Sequence, residues 1–301
     1  MSKKLVSRLL VPLALAVLMI FSMASALAEN TVTVTDMFDR KVTIEGPVTR
    51  VITMEPADCE IVCALGGEEL LVGRGAYCDY PASVLALPAL QSGSMTNIEE
   101  VLALEPQLVI MSGMDHPKEQ VDQLESNGVK VITTYAASIE ETYECIQLIG
   151  NAIGRSDQAQ ALVAEMMRTF ADAAAKSEKT DKTIYFEVMP LEWGLWSAGA
   201  GTFMHELAEI CGMKNAFADV NGWQAISQEQ VIERSPDYIV LVTGMGEAAV
   251  DEVMARAGWE NITAIKNGAV YNADSYAMTR PALRLAEAVV DLYNFLNGIT
   301  E

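Results

Sequence analysis

A stretch that begins at Asn97, NIEEVLALEPQLVI, is echoed 130 positions later at Ser227 by SQEQVIERSPDYIV. Both copies have a capping residue, a glutamate two positions on, a valine, and a proline followed by an apolar run. Solenoid repeats recur every ~20 to 50 residues, so an echo at this offset indicates a duplication at the scale of a lobe. The chain is therefore expected to fold as two related halves.

Each copy also predicts the same helix start. The first residue of each copy is a good N-cap, and Glu100 or Gln230 stands three positions later. A capping box is therefore expected in both copies. Glu99 and Glu229 are left at the second helical position, where an acid complements the positive end of the helix dipole.

Strand-like and helix-like segments alternate along both halves. Apolar runs at 50–54, 108–111, 130–134, 183–188 and 238–242 predict buried strands, separated by segments with helical character. Such alternation favours parallel sheets with helices on both faces. The predicted fold class is α/β, with two doubly wound, Rossmann-like lobes.

One long helix is predicted to connect the lobes. Residues 139 to 176 contain no proline, and the later part is rich in Ala, Met, Gln and Glu, which are good helix formers. A break is expected near Gly150 or Gly154. The predicted organisation is an N-terminal lobe at 29–153, a connecting helix at 154–178 and a C-terminal lobe at 179–301.

Residues 1–28 have the layout of a secretory signal peptide: basic residues, an apolar run and a small-residue cleavage site. Retention as a membrane anchor is the alternative, because the apolar stretch is nearly long enough to span a bilayer. The first cysteine is Cys59, so no lipobox cysteine is present. The chain is expected to be exported to the periplasm or the outer face of the cell membrane.

Composition excludes several classes of function. The formal net charge is −21, and such a surface repels nucleic acid and anionic lipid. His116 and His205 are the only histidines, so a histidine-rich metal site is not expected, and no nucleophile elbow or phosphate loop is present. The five cysteines lack a CxxC pair and are expected to be buried free thiols, with one bridge through Cys78 left open.

Aromatic and methionine side chains follow several predicted strands. Ligands of open α/β sheets bind beyond the carboxyl ends of the strands. Aromatic faces suit a large planar ligand and methionine adapts to irregular shapes, although the methionines could equally fill the core. The predicted ligand-binding residues are Met54, Glu55, Pro56, Tyr80, Trp193, Trp196, Trp223, Met245, Tyr276 and Arg280.

Seven motifs in order carry a family resemblance: VTVTDMFDRKVTI, RVITMEPADCEIVCALG, CDYP, NIEEVLALEPQLVI, GLWSAGAGTFMHELAEICGMKNAFAD, SQEQVIERSPDYIV and RPALRLAEAV. Over essentially the whole chain after the predicted signal peptide, it resembles the periplasmic substrate-binding proteins of ABC importers for iron-siderophores and vitamin B12 (cobalamin). The resemblance implies two lobes joined by a rigid helix, with a ligand cleft between them. It also implies a binder without catalytic residues, cofactor or resident metal.

The resemblance implies a partner as well. Glu99 and Glu229 fall on the two lobe glutamates that meet arginines on the membrane permease. An iron-siderophore is the first expectation for the ligand, with cobalamin or haem close behind. The alternatives are a secreted hydrolase on the same fold and a chelate-binding surface protein that works without a permease.

Cleft residues are implied in the same way. Tyr80 falls on the cleft tyrosine of the DYP turn, and Trp196 and Trp223 fall on cleft aromatics of the B12-binding member. The closing motif RPALR leaves open whether Arg280 or Arg284 faces the cleft.

Overall fold

A computed structural model describes residues 31–113, 116–246 and 248–299. The predicted signal peptide, 1–28, lies outside these described residues. Within these three ranges no helix is both long and apolar enough to cross a membrane.

The first described element is an antiparallel hairpin of β1 Val32–Thr35 and β2 Lys41–Ile44. Asp36 in its turn ties the hairpin to the first sheet, because its carboxylate accepts hydrogen bonds from the Thr133 amide at 3.1 Å and hydroxyl at 2.7 Å. The hairpin is therefore an extension of the N-terminal lobe.

Five parallel strands form the sheet of the N-terminal lobe, in the order β5-β4-β3-β6-β7. Numbered within the lobe this order is 3-2-1-4-5, and the winding reverses between β3 and β6. A reversal of this kind leaves a crevice at the carboxyl ends of the two central strands. The strands are β3 Val51–Thr53, β4 Leu71–Gly75, β5 Ala89–Leu90, β6 Leu108–Ser112 and β7 Lys130–Thr134.

Helices connect these strands, and their apolar sides are buried against the sheet. The strongest local start signal is at Ser138, where a capping box with Glu141 begins the fourth helix. The helices are α1 Pro56–Ala64, α2 Ile98–Ala103, α3 Lys118–Ser126 and α4 Ile139–Ala152, and short 3-10 turns span Glu68–Leu70, Ala82–Ala86 and Gly93–Met95.

The connecting helix is α5 Ser156–Lys176. It is separated from α4 by a break at Gly154, which has a φ of +70°, a conformation that glycine adopts without strain. One face of α5 is buried at intervals of three or four residues, from Ala159 to Ala173, and it joins the core residues of both lobes. The predicted lobe boundaries stay predictions, and this helix falls inside the predicted interval 154–178.

Four parallel strands form the sheet of the C-terminal lobe, in the order β10-β8-β12-β13. Here the winding reverses between β8 and β12, so this sheet too has a switch point. A separate antiparallel pair, β9 Trp196–Ala198 with β11 Trp223–Ala225, lies beside it. The parallel strands are β8 Thr183–Glu187, β10 Lys214–Asn215, β12 Tyr238–Leu241 and β13 Val270–Asn272.

Six helices are described in this lobe: α6 Phe203–Ile210, α7 Gln228–Arg234, α8 Ala248–Met254, α9 Thr263–Asn267, α10 Ser275–Thr279 and α11 Leu285–Leu296. A 3-10 turn spans Leu191–Trp193. Together the two sheets and their helices confirm the predicted α/β class with two doubly wound lobes.

The echoed stretches become the equivalent helices α2 and α7, but only one has the predicted cap. The Ser227 amide donates to Gln230 at 2.8 Å and its hydroxyl accepts from the Gln230 amide at 3.3 Å, which completes a capping box. The capping box predicted at Asn97 is wrong. Asn97 accepts from the amide of Glu99 and its own amide group donates to the Glu100 carboxylate, both at 3.1 Å, because an asparagine can bind that carboxylate directly.

Candidate functional site

A cavity of about 290 Å³ lies at the switch point of the first sheet. Glu55 and Pro56 follow β3 and Ser112 ends β6, so the cavity is where the doubly wound topology places a ligand. Residues of the C-terminal lobe close its other side. The lining residues are Glu55, Pro56, Ala57, Asp58, Ser112, Thr134, Tyr135, Ala136, Cys145, Phe203, Trp223, Thr279, Arg280 and Pro281.

Aromatic rings from both lobes form its walls. Tyr135 follows β7 of the N-terminal lobe, whereas Phe203 begins α6 and Trp223 begins β11 of the C-terminal lobe. The rings of Phe203 and Trp223 meet edge to face with centroids 5.4 Å apart, a favourable geometry that fixes their orientation. The cavity thus offers flat apolar surfaces on two sides.

Two ionisable groups on the floor of the cavity have altered acidity. Burial raises the pKa of Asp58 to about 7, against a lowering by the hydroxyl of Thr134, which donates to its carboxylate at 3.0 Å. Burial likewise raises the pKa of the Cys145 thiol to about 12, and that thiol donates to the carbonyl of Tyr135 at 3.4 Å. Near neutral pH Asp58 therefore carries less than a full negative charge, and the Cys145 thiol is uncharged.

Asp58 should make stability depend on pH. Its pKa in the folded protein is about 7, above the ordinary 3.8, so its contribution to stability is complete below pH ~4 and is lost as pH rises through 7. The loss approaches about 4 kcal/mol, because each pKa unit corresponds to about 1.4 kcal/mol. Melting temperatures of the wild type and Asp58→Asn between pH 4 and 8 should diverge, with the variant gaining relative stability as pH rises. Parallel curves would contradict the assignment.

Hydrogen bonds join the two lobes on both sides of the cavity. On one side the Ile139 amide at the start of α4 donates to Glu206 at 2.7 Å, and the Phe203 amide donates to the carbonyl of Ala137 at 2.6 Å. On the other side Arg280 donates to Glu60 of α1 at 2.8 Å. These bonds predict that the lobes move little relative to one another.

A second cavity, of about 450 Å³, lies at the switch point of the second sheet. Glu187 ends β8 there, and Thr243 and Met245 follow β12. Glu187 is paired with Arg256 beneath the cavity at 2.9 and 3.0 Å. The equivalent position in each lobe is therefore hollow, as expected for duplicated halves.

Comparison with known proteins shows which family the chain belongs to. A family model described as "Periplasmic binding protein" matches residues 51–277. The chain belongs to the periplasmic binding protein family. The ABC transporter substrate-binding lipoprotein YvrC of Bacillus subtilis is 33% identical to it over 269 residues, which cover 87% of this chain and 84% of that protein.

Two further proteins are similar to this periplasmic binding protein. The vitamin B12-binding protein of Salmonella choleraesuis is 30% identical over 203 residues, or 66% of this chain and 74% of that protein. The crystal structure of a possible iron-binding, periplasmic solute-binding protein from Staphylococcus epidermidis is 28% identical, with a TM-score of 0.72 over 82% of this chain and 98% of that one.

Family membership confirms two expectations. The family consists of binding proteins, so this periplasmic binding protein is not an enzyme, and its members act outside the cytoplasm. Together with YvrC, this makes the chain a substrate-binding protein of the ABC transporter type. The name lipoprotein belongs to YvrC, while the first cysteine of this chain is Cys59, and the expectation of export without a lipobox stays a prediction.

The structure brings four of the ten predicted ligand-binding residues together in the first cavity: Glu55, Pro56, Trp223 and Arg280. Met54 lies directly before them but is fully buried. The two arginines of the RPALR motif lie in different places. Arg280 lines the cavity, whereas Arg284 is outside the lining and is only 5% exposed.

The other five predicted residues lie outside the first cavity and are exposed: Tyr80, Trp193, Trp196, Met245 and Tyr276. Tyr80 and Tyr276 are each covered by an arginine, with the Arg284 and Arg280 guanidinium carbons 4.3 and 4.1 Å from the ring centroids. Met245 lines the second cavity. Their contact with a ligand stays a prediction.

Several lining residues were not predicted from the sequence. Ser112, Thr134 and Tyr135 stand at the ends of β6 and β7, so the rule that found Glu55 would also have found them. Asp58 and Phe203 lie inside the first turn of helices, and only the packing of those helices turns them toward the cavity.

Glu99 and Glu229 are both exposed at helix starts, one in each lobe. A hydrogen bond from Ser227 lowers the pKa of Glu229, so this carboxylate is fully ionised at neutral pH. Neither glutamate lines the cavities described above, and their docking role stays a prediction.

Proposed function

We propose that this protein binds a large metal chelate between its lobes and delivers it to the permease of an ABC importer. The observation that carries the proposal is the first cavity, whose aromatic walls come from both lobes. Tyr135 lies on one side, with Phe203 and Trp223 on the other. Such an arrangement suits a ligand with broad apolar faces, held by a few polar groups at its edge.

A chelate such as cobalamin is larger than 290 Å³, so it would extend beyond the cavity. The exposed rings of Tyr80, Trp196 and Tyr276, which are 43%, 37% and 51% exposed, are available to cover the remainder. Tyr276 adjoins the cavity, because its ring lies against Arg280 of the lining with the guanidinium carbon 4.1 Å from the ring centroid. In this proposal they form the rim of the ligand site.

Among chelates we place cobalamin first. The sequence alone favours an iron-siderophore, but the relative with a named ligand at 30% identity is a vitamin B12-binding protein. A ferric siderophore is the second candidate, supported by the likeness to the possible iron-binding protein of S. epidermidis. Haem is the third.

Calorimetric titration of the purified protein tests the proposal. Cyanocobalamin, a ferric trihydroxamate and haemin are titrated separately, and co-elution of the visible absorption band with the protein on gel filtration confirms each binding event. One of them should bind with a micromolar or lower Kd, about 8 kcal/mol or more of binding free energy. Failure of all three to bind would refute the proposed function.

Trp223 should contribute strongly to that affinity. Trp223→Ala removes an aromatic wall that Phe203 holds in place, so the Kd should rise about 10- to 100-fold, or 1.4 to 2.8 kcal/mol. Phe295→Ala is the matched control, because it removes an aromatic ring at the other end of the sheet. Phe295 stacks on Tyr271 with centroids 4.8 Å apart and also contacts Tyr238 at the amino end of β12, whereas the cavities lie at the carboxyl ends of the strands. Equal losses in the two variants would argue against Trp223 as a ligand contact.

Delivery to a permease is the second half of the proposal. The exposed pair Glu99 and Glu229, one on each lobe, would each meet a basic residue on one half of the permease. A chelate-binding surface protein that works without a permease would not need this pair, and the uptake experiment described in the Discussion separates the two functions.

A further inference from the structure

Five charged residues cluster at one edge of the first cavity and connect the lobes. Glu60 of α1 and Asp79, which follows β4, belong to the N-terminal lobe. Arg280, Arg284 and Asp274 belong to the C-terminal lobe. We refer to these five residues as the interlobe ion cluster.

Both arginines in the cluster have carboxylate partners. Arg284 donates from Nε and Nη2 to the two carboxylate oxygens of Glu60 at 2.9 and 2.7 Å. Arg280 donates from Nη1 to Glu60 at 2.8 Å and to Asp79 at 2.7 Å. Asp274 lies 3.6 Å from Arg284. Two positive charges therefore face three negative ones.

The cluster is largely shielded from solvent. The side chains of Arg280 and Arg284 are 11% and 7% exposed, and that of Glu60 is fully buried. Tyr276 and Tyr80 each cover one face of an arginine. A buried carboxylate that holds two guanidinium groups fixes both of them, since leaving either charge unpaired at this depth is unfavourable.

The other ionisable groups that line the cavity are mainly acidic, and the Glu55 carboxylate lies 3.8 Å from the His116 ring. Arg280 is the one basic side chain among the described residues that line it, and Glu55 and Asp58 are acidic. A carboxylate or catecholate of a ligand would approach an arginine that already has two acidic partners. It would also lie near the carboxyl group of Glu55 and that of Asp58, whose pKa of about 7 leaves it partly ionised near neutral pH. Like charges placed together disfavour binding.

We infer that Glu60 and Asp79 set the charge preference of the cleft, by holding Arg280 in ion pairs so that uncharged or cationic chelates bind and anionic ones are rejected. The inference rests on the proposed function and narrows its ligand class. Amide-bearing corrinoids and ferric trihydroxamates fit, whereas ferric tricatecholates and free haem, with its propionates, do not.

Two matched pairs of probes test the charge preference by calorimetry. Cyanocobalamin is compared with its monocarboxylic acid, in which one side-chain amide is hydrolysed, and a neutral ferric trihydroxamate is compared with a ferric tricatecholate. In whichever pair binds to the wild type, the Kd of the uncharged member should be at least about tenfold lower than that of the anionic member, equivalent to 1.4 kcal/mol. Equal affinity, or tighter binding of the anionic member, would overturn the inference.

Two variants test the residues. Asp79→Asn removes one carboxylate partner of Arg280, and the Asp79 side chain is 37% exposed. The ratio of the affinities for the uncharged and the anionic probe should fall several-fold in this variant. Glu60→Gln should reduce it further or reverse it, and Asp79→Asn decides the question if Glu60→Gln does not fold. Glu119→Gln, an exposed acid on α3, should leave the ratio unchanged.

The outcomes separate this inference from the proposed function. If a chelate binds but Asp79→Asn keeps the wild-type ratio, Glu60 and Asp79 do not set the preference, while the proposed function stands. If neither the four probes nor haemin binds to the wild type, the proposed function fails, and the charge preference fails with it. If haemin alone binds, the proposed function stands and the charge preference is overturned.

Discussion

Replacing Glu99 and Glu229 together by alanine should abolish uptake of the chelate while its affinity for the purified protein stays unchanged. Both carboxylates are exposed at helix starts, one per lobe, and neither lines the cavities described above. Charged pairs at a protein interface govern encounter and register, so losing both should lower the transport rate more than about tenfold. The rate is measured by uptake of labelled chelate into cells or vesicles that contain the permease, alongside calorimetric Kd values.

A matched double variant controls for loss of charge alone. Glu119→Ala with Glu233→Ala also removes one exposed acid from each lobe, and these residues lie on α3 and α7. This control should transport at the wild-type rate. Wild-type uptake by the Glu99 and Glu229 double variant would disprove the docking assignment. Equal losses of uptake in both double variants would show that net charge in general, and not these two glutamates, affects transport.

Arg256→Ala should destabilise the fold by about 3–5 kcal/mol, because it leaves a buried carboxylate without its partner. Arg256 and Glu187 have side chains that are 3% and 2% exposed, and they are joined by two parallel hydrogen bonds at 2.9 and 3.0 Å. Trp259 packs under the guanidinium, whose carbon lies 4.2 Å from the ring centroid. Removing the arginine leaves Glu187 buried without its bidentate partner.

The pH dependence of this loss follows from Glu187. Burial already raises the pKa of Glu187, even though Arg256 opposes the shift, so removing Arg256 should raise that pKa further. The destabilisation should therefore shrink at acidic pH, where Glu187 becomes protonated. Urea unfolding of the variant between pH 5 and 8 measures this trend.

Two comparisons make the Arg256 prediction specific. Arg155→Ala breaks a pair whose side chains are 33% and 64% exposed, and it should cost less than about 1 kcal/mol. Arg256→Met combined with Glu187→Leu removes both buried charges and should recover most of the stability. A loss below 1 kcal/mol for Arg256→Ala would mean that water reaches Glu187 in the folded protein.

Much of the site follows from position along the chain. The apolar runs that predicted β3 and β6 also located Glu55 and Pro56 beyond a strand end, because the carboxyl ends of parallel strands meet at one edge. Ser112 and Tyr135 obey the same rule. Ser112 was missed because the prediction favoured aromatic and methionine residues, and Tyr135 was missed because the prediction named no residue after β7. Phe203 could not be found this way, since it lies on a helix that the other lobe contacts.

The interlobe ion cluster could not be read from the sequence. Glu60 and Arg284 are separated by 224 positions, and a glutamate inside an apolar helix carries no signal of its partner. The RPALR motif showed that two arginines lay near a cleft. It did not show that one lines the cavity while the other is buried against Glu60.

The sequence by itself determined the duplicated α/β design, the connecting helix and the matched glutamates, because hydrophobic periodicity and helix caps are local properties. Tertiary structure alone decided which residues share a cavity and which charges neutralise one another. Glu60 illustrates the boundary between the two, since its helix was predictable but its partners Arg280 and Arg284 were not. Contacts between distant segments depend on how the two lobes pack, and no local sequence pattern specifies that packing.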